Sequence, residues 1–490
     1  MSSIRLRQTL AALALPLSLG AQVITPKTVP VHQGEQFGVF PSQWPGMGGV
    51  SIALPDTLGD AWLNPAKAGR LAFGSIQVMP FTHRATAGGG RSIPVSLLQT
   101  NGSWSGGALF SLQEVEREDV WGQPISDRRA SNQYVAAVLA RRLGAGLTLG
   151  ASVSAADLRG VDGVSAMYAG SDRVRQSGGQ LDARLGLTKD FTSGATLELV
   201  AVGYRYRMEH DVHYPSQWRW VPCACPINTP CPCDPQIVPE RDERNLDRTN
   251  LIGAHAVYLA PTTPGGWRLG YLLTANRLSH PKIPNYQIQN IPRDPGNTDA
   301  FNLGFGASRV LGHSTFGLDV ILEPMWSHTW ADAAGDTTDI HGRVIPQGAH
   351  TVDNHFRFSN SRINVGFAHE IPGATDSAMA LGFQFGVSMR SINYTLDQSN
   401  HVARTSRTQD EGWTEWTPAF AIRLRGRDLT LTWAMSMTCG PTCLESNDRF
   451  LAVPDAAPAT PGVIAAPSAP LTFDGGTASR HLVMVSMRLR

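Results

Sequence analysis

The chain has 490 residues, with 41 lysines and arginines against 40 aspartates and glutamates and a formal net charge of +1. That balance offers no basic field for nucleic acid, and a mean hydropathy of -0.14 goes with apolar runs too short for a spanning helix of roughly 20 residues. Length alone allows two or three soluble domains or one large barrel.

The N-terminus reads as an export signal. Arg5 and Arg7 precede the apolar run from Leu10 to Leu17, and small residues follow up to Ala21, the three zones of a secretory peptide. Residues 1-21 are expected to be removed, leaving a mature chain from Gln22 outside the cytoplasm. Next come Gly46-Met47-Gly48-Gly49-Val50 and Asn64-Pro65-Ala66-Lys67. Asn64 can accept from the free amides of a helical turn, Pro65 suits its first position, and Gly69 can end it in a left-handed conformation.

From residue 71 onward the dominant signal is alternation. Leu429, Leu431, Trp433, Met435 and Met437 share one face, against Thr430, Thr432, Ala434, Ser436 and Thr438 on the other, the period of a strand. Phe316, Leu318, Val320 and Leu322 alternate in the same way with Gly317, Asp319, Ile321 and Glu323. So do Leu381, Phe383, Phe385, Val387 and Met389 with Gly382, Gln384, Gly386, Ser388 and Arg390. The reading predicts strands near 71-83, 91-100, 103-114, 131-142, 145-157, 178-190, 194-209, 249-260, 266-279, 299-311, 313-327, 353-371, 376-396, 412-425, 428-439 and 478-490. That is sixteen, with fourteen left open because the pair before residue 114 is weakly patterned.

Connections alternate short and long, the long ones being 210-248, 328-352 and 440-477. Short turns on one rim and long loops on the other are the mark of an outer-membrane barrel, whose closure removes edges that would leave backbone groups unsatisfied in lipid. The predicted fold is therefore all-β, a transmembrane outer-membrane β-barrel of 14-16 antiparallel strands over 71-490, in the bacterial cell outer membrane and in contact with its lipid. Both terminal strands have their outer ends on the short-turn rim, where an N-terminal plug belongs. Trp326, Trp330, Trp413, Trp416, Tyr204 and Tyr206 are expected to form an interfacial aromatic girdle. Asp319, Glu323 and Arg390 are expected to face a wet lumen, because a lipid-facing charge is costly.

Cys223, Cys225, Cys231, Cys233, Cys439 and Cys443 fall in two of the long loops. An even count in an exported chain favours disulfides over thiolates holding zinc or copper, so neither metal nor cofactor is expected. Catalysis has little support. His355 and Ser359 share a strand face but lie about 13 Å apart, and His210, His213, His341 and His350 read as loop residues.

Gly46, Gly48 and Gly49 followed by Asn64, Pro65 and Ala66 resemble the N-terminal segment of the FadL-type outer-membrane transport proteins, and Asn64-Pro65-Ala66-Lys67 is similar to the version in the PorV and PorQ proteins of type IX secretion. The resemblance implies that residues 22-70 form a hatch in the barrel lumen, in a family whose barrels have fourteen strands. It implies passive uptake of hydrophobic small molecules, fatty-acid or hydrocarbon-like. The alternative it implies is a PorV-like component that binds exported proteins or secretion-system subunits through its external loops. The terminal Arg490 departs from the aromatic residue with which such barrels usually end.

Overall fold

The computed structural model describes residues 39-85, 88-117, 129-160, 173-219, 236-280, 295-333, 335-373, 379-440 and 477-489. The signal peptide, residues 22-38 of the expected hatch and five of the six cysteines lie outside them. A four-residue helix, α1 (Asp60–Leu63), and a 3-10 turn over Pro65–Arg70 precede the strands. The strands are β1 (Gly74–Val78 with Phe81–Ala85), β2 (Gly88–Asn101), β3 (Trp104–Arg117), β4 (Arg129–Gly144), β5 (Leu147–Gly160), β6 (Arg173–Asp190), β7 (Thr196–Tyr214) and β8 (Arg241–Leu259), followed by β9 (Trp267–His280), β10 (Gly296–Leu311), β11 (Ser314–Asp332), β12 (His350–Ile371), β13 (Ala380–Asn400), β14 (Thr405–Arg425), β15 (Leu429–Cys439) and β16 (Thr477–Leu489).

Each strand pairs antiparallel with the next, and β16 returns to β1 with Gly74 opposite Leu489 and Val78 opposite Val485. The result is a closed barrel of sixteen strands. The one interruption in β1 has a chemical cause. Pro80 has no N–H to give to the ladder, so the strand breaks at Met79-Pro80, where Met79 N donates to Pro94 O (2.9 Å) and Val483 N donates to Pro80 O (2.9 Å).

The predicted alternation sorts inside from outside. Along β15, Leu429, Leu431, Trp433, Met435 and Met437 are exposed, whereas Thr432 and Ala434 are buried. Val135, Leu139, Leu185, Ile252, Leu273, Leu303 and Phe385 continue this exposed apolar belt around the wall. A protein that leaves such a surface uncovered by its own chain has lipid as its solvent.

The strands outrun their predicted ends on the long-loop side. The links expected at 210-248 and 328-352 shrink to 215-240 and 333-349, because β7, β8, β11 and β12 continue above the belt. There the cross-strand pairs are polar or ionic instead of apolar: Arg244 with Glu209 and Asp211 (both 2.9 Å), His213 with Asp242 (2.9 Å), and His328 with Asp353 (3.2 Å). His210, His213 and His350 are therefore strand residues. Similarly β14 begins at Thr405, and only His401–Arg404 separates it from β13.

Of the expected girdle, Trp326 and Trp416 are about half exposed (50% and 49%), and Trp330 shares the outward parity of Trp326. Trp413 stands three residues from Trp416 and so faces inward, where its Nε1 donates to Glu415 at 3.1 Å. Tyr204 and Tyr206 also face inward and are buried; the outward positions beside them belong to Arg205 and Arg207.

Candidate functional site

Residues 39-71 lie against the inward faces of strands from both sides of the barrel. Room for them is made by glycines at inward positions of the wall. A Cβ built on Gly150 or Gly186 would come within 3.0 Å of the Asn64-Pro65-Ala66 turn, on Gly270 or Gly306 of Ile52, on Gly317 of Val50, and on Gly366 or Gly386 of Met47-Gly48. The segment supplies its own close approaches. Gly48 (φ 62°) and Gly49 (φ 83°) are left-handed, a conformation glycine adopts without steric cost, and Gly46 packs against Ala421 and Gln384.

The turn after α1 forms as its sequence suggests, with one correction. Asn64 Oδ1 accepts from Ala66 N at 3.1 Å and Pro65 occupies the first position, which satisfies one of the free amides of a helical start. Gly69 is not left-handed and does not end the turn, which runs on to Arg70. Its glycine requirement comes from the wall, since a Cβ there would strike Thr148.

Polar wall residues clamp the segment's backbone. Asp319 Oδ2 accepts from Ser51 N (2.7 Å) and Ile52 N (3.2 Å). Gln384 Oε1 accepts from Gly46 N (2.9 Å) while its Nε2 donates to Gln43 O (2.8 Å). Asn364 donates to Gly49 O (3.1 Å) and Ser308 to Ala53 O (2.7 Å). Asp319 does face inward, but it is fully buried beneath the segment instead of standing in water. Glu323 and Arg390 share its inward face and pair at 3.3 Å, with Arg362 at 3.4 Å on the other carboxylate oxygen.

At the far end of the segment the contacts are ionic. Lys67 pairs with Asp60 (2.8 Å) and Glu198 (3.2 Å), and Arg70 with Glu198 (3.0 Å) and Asp190 (2.8 Å). Arg184 donates to Leu63 O at 3.1 Å. A cavity of about 220 Å³ lies beside this network, lined by Ile52, Lys67, Arg70, Glu198 and Arg268 among others. Burial is the main force on Asp60 and pushes its carboxyl up to about 6, against the opposing pull of Lys67. The raised value favours the neutral form in the docked state. Docking should therefore tighten as pH falls through 6, reach its full gain near the ordinary value of 3.8, and weaken as pH rises back through 6. Hydrogen exchange over residues 60-70, corrected for intrinsic rates, should show more protection at pH 5 than at pH 7; the reverse trend would mean that the Lys67 ion pair outweighs burial.

Between the segment and strands β2-β8 lies an apolar cluster that includes Val39, Trp62, Leu98, Leu109, Tyr134, Leu158, Tyr204, Tyr206 and Met208, with Phe40 and Leu251 against it. Phe40 meets Tyr134 edge-on at 6.3 Å. Sequence reasoning missed both this cluster and the wall glycines.

The remaining candidates do not converge. His355 and Ser359 face outward and are exposed. His328, His350 and His401 each contact the Asp353 carboxylate, at 3.2, 2.7 and 2.8 Å, and His341 N donates to Asp339 in a turn. Among the described residues no group of histidine, cysteine and carboxylate side chains is arranged to hold a metal. Cys439 ends β15, is buried and has no free thiol; Cys223, Cys225, Cys231, Cys233 and Cys443 lie outside the described residues.

A closed barrel of this size, with an apolar belt outside and a polar, segment-filled inside, defines a transmembrane protein of the bacterial outer membrane. No protein-family model matches the chain, and no curated protein does. Among solved structures it is similar to the Ralstonia pickettii toluene transporter TbuX, at 12% identity and a TM-score of 0.40 over 93% of this chain and 100% of that one. It is similar also to a Pseudomonas aeruginosa FadL homologue (11%, TM-score 0.41, 92% and 98%) and to the CymD monoaromatic hydrocarbon channel (10%, TM-score 0.40, 91% and 97%).

Proposed function

We propose that the protein is an outer-membrane channel for passive entry of hydrophobic small molecules, with residues 39-71 serving as a hatch. The observation that carries this reading is the seating of the segment on inward wall glycines, held by hydrogen bonds and ion pairs that can be broken and remade. A barrel that were only an anchor would have no need of wall glycines matched to a removable filling. The apolar cluster of Val39, Phe40, Trp62, Tyr134, Leu158 and Tyr206 places oily side chains on both sides of the boundary between segment and wall. Displacing the segment there would uncover a surface suited to fatty-acid or hydrocarbon-like cargo. The resemblance of the Gly46–Val50 and Asn64–Lys67 motifs to the FadL-type hatch supports the same reading.

The expected result is that vesicles containing the purified protein accumulate a labelled fatty acid or aromatic hydrocarbon faster than empty vesicles, with no matching gain for a charged sugar phosphate. Equal rates with and without the protein would refute transport. Retention of an exported protein by the purified barrel, with no uptake, would point to an anchor for secretion instead.

A further inference from the structure

At the upper edge of the apolar belt, on the outward face of β6-β8, the wall turns abruptly basic. Below this line the outward residues include Leu185, Leu199 and Ile252, all exposed. One step higher come Arg205, opposite Leu181 and Asn250, and Arg207, opposite Gly179 and Arg248. Two arginines thus stand directly across from each other in the ladder, an arrangement that destabilises a sheet unless an anion lies between them.

The protein supplies no such anion among its described residues. The nearest outward carboxylates, Glu209 and Asp211, are both engaged by Arg244 at 2.9 Å, and Asp211 also stands opposite Arg175. Asp157, on β5 beyond Gly179, is within 3.7 Å of Arg159. His213, higher on β7, is paired with Asp242 (2.9 Å). Arg248 Nε is buried with no acceptor. Six outward arginines (Arg173, Arg175, Arg205, Arg207, Arg244 and Arg248) therefore face three carboxylates (Glu209, Asp211 and Asp242) across β6-β8, and Gly179 puts no side chain beside Arg207.

We propose that Arg205, Arg207 and Arg248 form a binding site for a phosphate group on a lipid headgroup of the outer leaflet. The site's height selects the source of the anion: it sits where the acyl region gives way to headgroups on the long-loop side. The guanidinium fork matches phosphate oxygens in pairs, and each arginine near a membrane surface adds attraction to anionic lipid. The proposal is independent of what crosses the lumen, since all three side chains face away from it.

The test titrates the full-length, delipidated protein in non-ionic detergent with a diphosphorylated glycolipid, with the same glycolipid after enzymatic dephosphorylation, and with inorganic phosphate, counting bound lipid by native mass spectrometry. Wild type should retain the phosphorylated glycolipid, and the triple variant R205Q/R207Q/R248Q should bind it on the order of a hundredfold more weakly. The dephosphorylated lipid should bind wild type as weakly as the phosphorylated lipid binds the variant, a comparison that needs no variant to fold. Equal retention of both lipids by wild type, undiminished binding by a variant that still runs as a folded barrel on unheated gels, or inorganic phosphate binding as tightly as the lipid would each overturn the proposal.

Discussion

Substituting Gly386 with leucine should drive residues 46-50 out of their seat while leaving the barrel folded. A Cβ at this position falls within 3.0 Å of backbone atoms of Met47 and Gly48, which cannot rotate aside as a side chain could. Overpacking of a fitted interior usually costs about 1–3 kcal/mol, and here the strain is relieved by expelling the segment, because the β12–β13–β14 ladders on either side hold Gly386 in place. The variant should show rapid proteolysis within 39-71 and stepwise conductance in planar bilayers where wild type is closed, with unchanged heat-modifiable gel mobility. A closed, protease-resistant G386L would mean that the wall glycines are not what seats the segment.

Glu198→Ala should loosen the other end. Its carboxylate, with 6% side-chain exposure, is shared by Lys67 and Arg70, so its removal strips one partner from each of two cations. Breaking a fully buried pair costs about 3–5 kcal/mol. Lys67 keeps Asp60 and Arg70 keeps Asp190, and water reaches Arg70, so a loss of roughly 2 kcal/mol in segment docking is expected. Faster hydrogen exchange over residues 60-70, with strand protection unchanged, would register it. Adding Lys67→Met should cost less than it does in the wild-type background, because the Lys67–Glu198 pair is already gone and only the pair with Asp60 is lost, and strict additivity of the two changes would show that the residues do not act as a unit.

The wall was legible in the chain wherever lipid dictates the outward residue. Within the belt, apolar and small residues must alternate, and strands such as β11, β13 and β15 declare themselves by that period. Above the belt the outward positions carry charge, as at Arg207, Glu209 and Asp211, and the apolar-out period is lost although Met208, Val212 and Tyr214 stay buried inside, which is why β7, β8, β12 and β14 extend beyond their predicted ends. The face assignments of Trp413, Tyr204 and Tyr206 failed for a related reason: aromatic residues suit both an interface and a filled lumen, and only parity with a neighbour such as Trp416 separates the two. The inside was far less legible. Gly317 and Gly386 fit the small, polar face of their strands, but nothing local distinguishes a glycine that admits another segment from one that merely lines a lumen. The decisive contacts join residues remote in sequence: Ser51 and Asp319 are 268 positions apart, and Gln43 and Gln384 are 341 apart. Asn64 and Pro65 were readable because a capped turn is specified within a few residues.

The pairing of β1 with β16 also sets an order of events during biogenesis. The lumen filling is synthesised before any strand, whereas the seam that encloses it joins Gly74–Val78 to Val485–Leu489 and so must await the last strand. Local encounters cannot nucleate a junction of such sequence separation, and topologies of that kind close slowly. Until the seam zips, β1 and β16 each present a bare edge, and the wall is open like a scroll. Residues 39-71 can then be laid across the concave side without threading, and closure traps them. Once the seam is shut, the way out for the whole segment is along the bore, so a copy that closes with its lumen unfilled would keep that defect for as long as the seam holds.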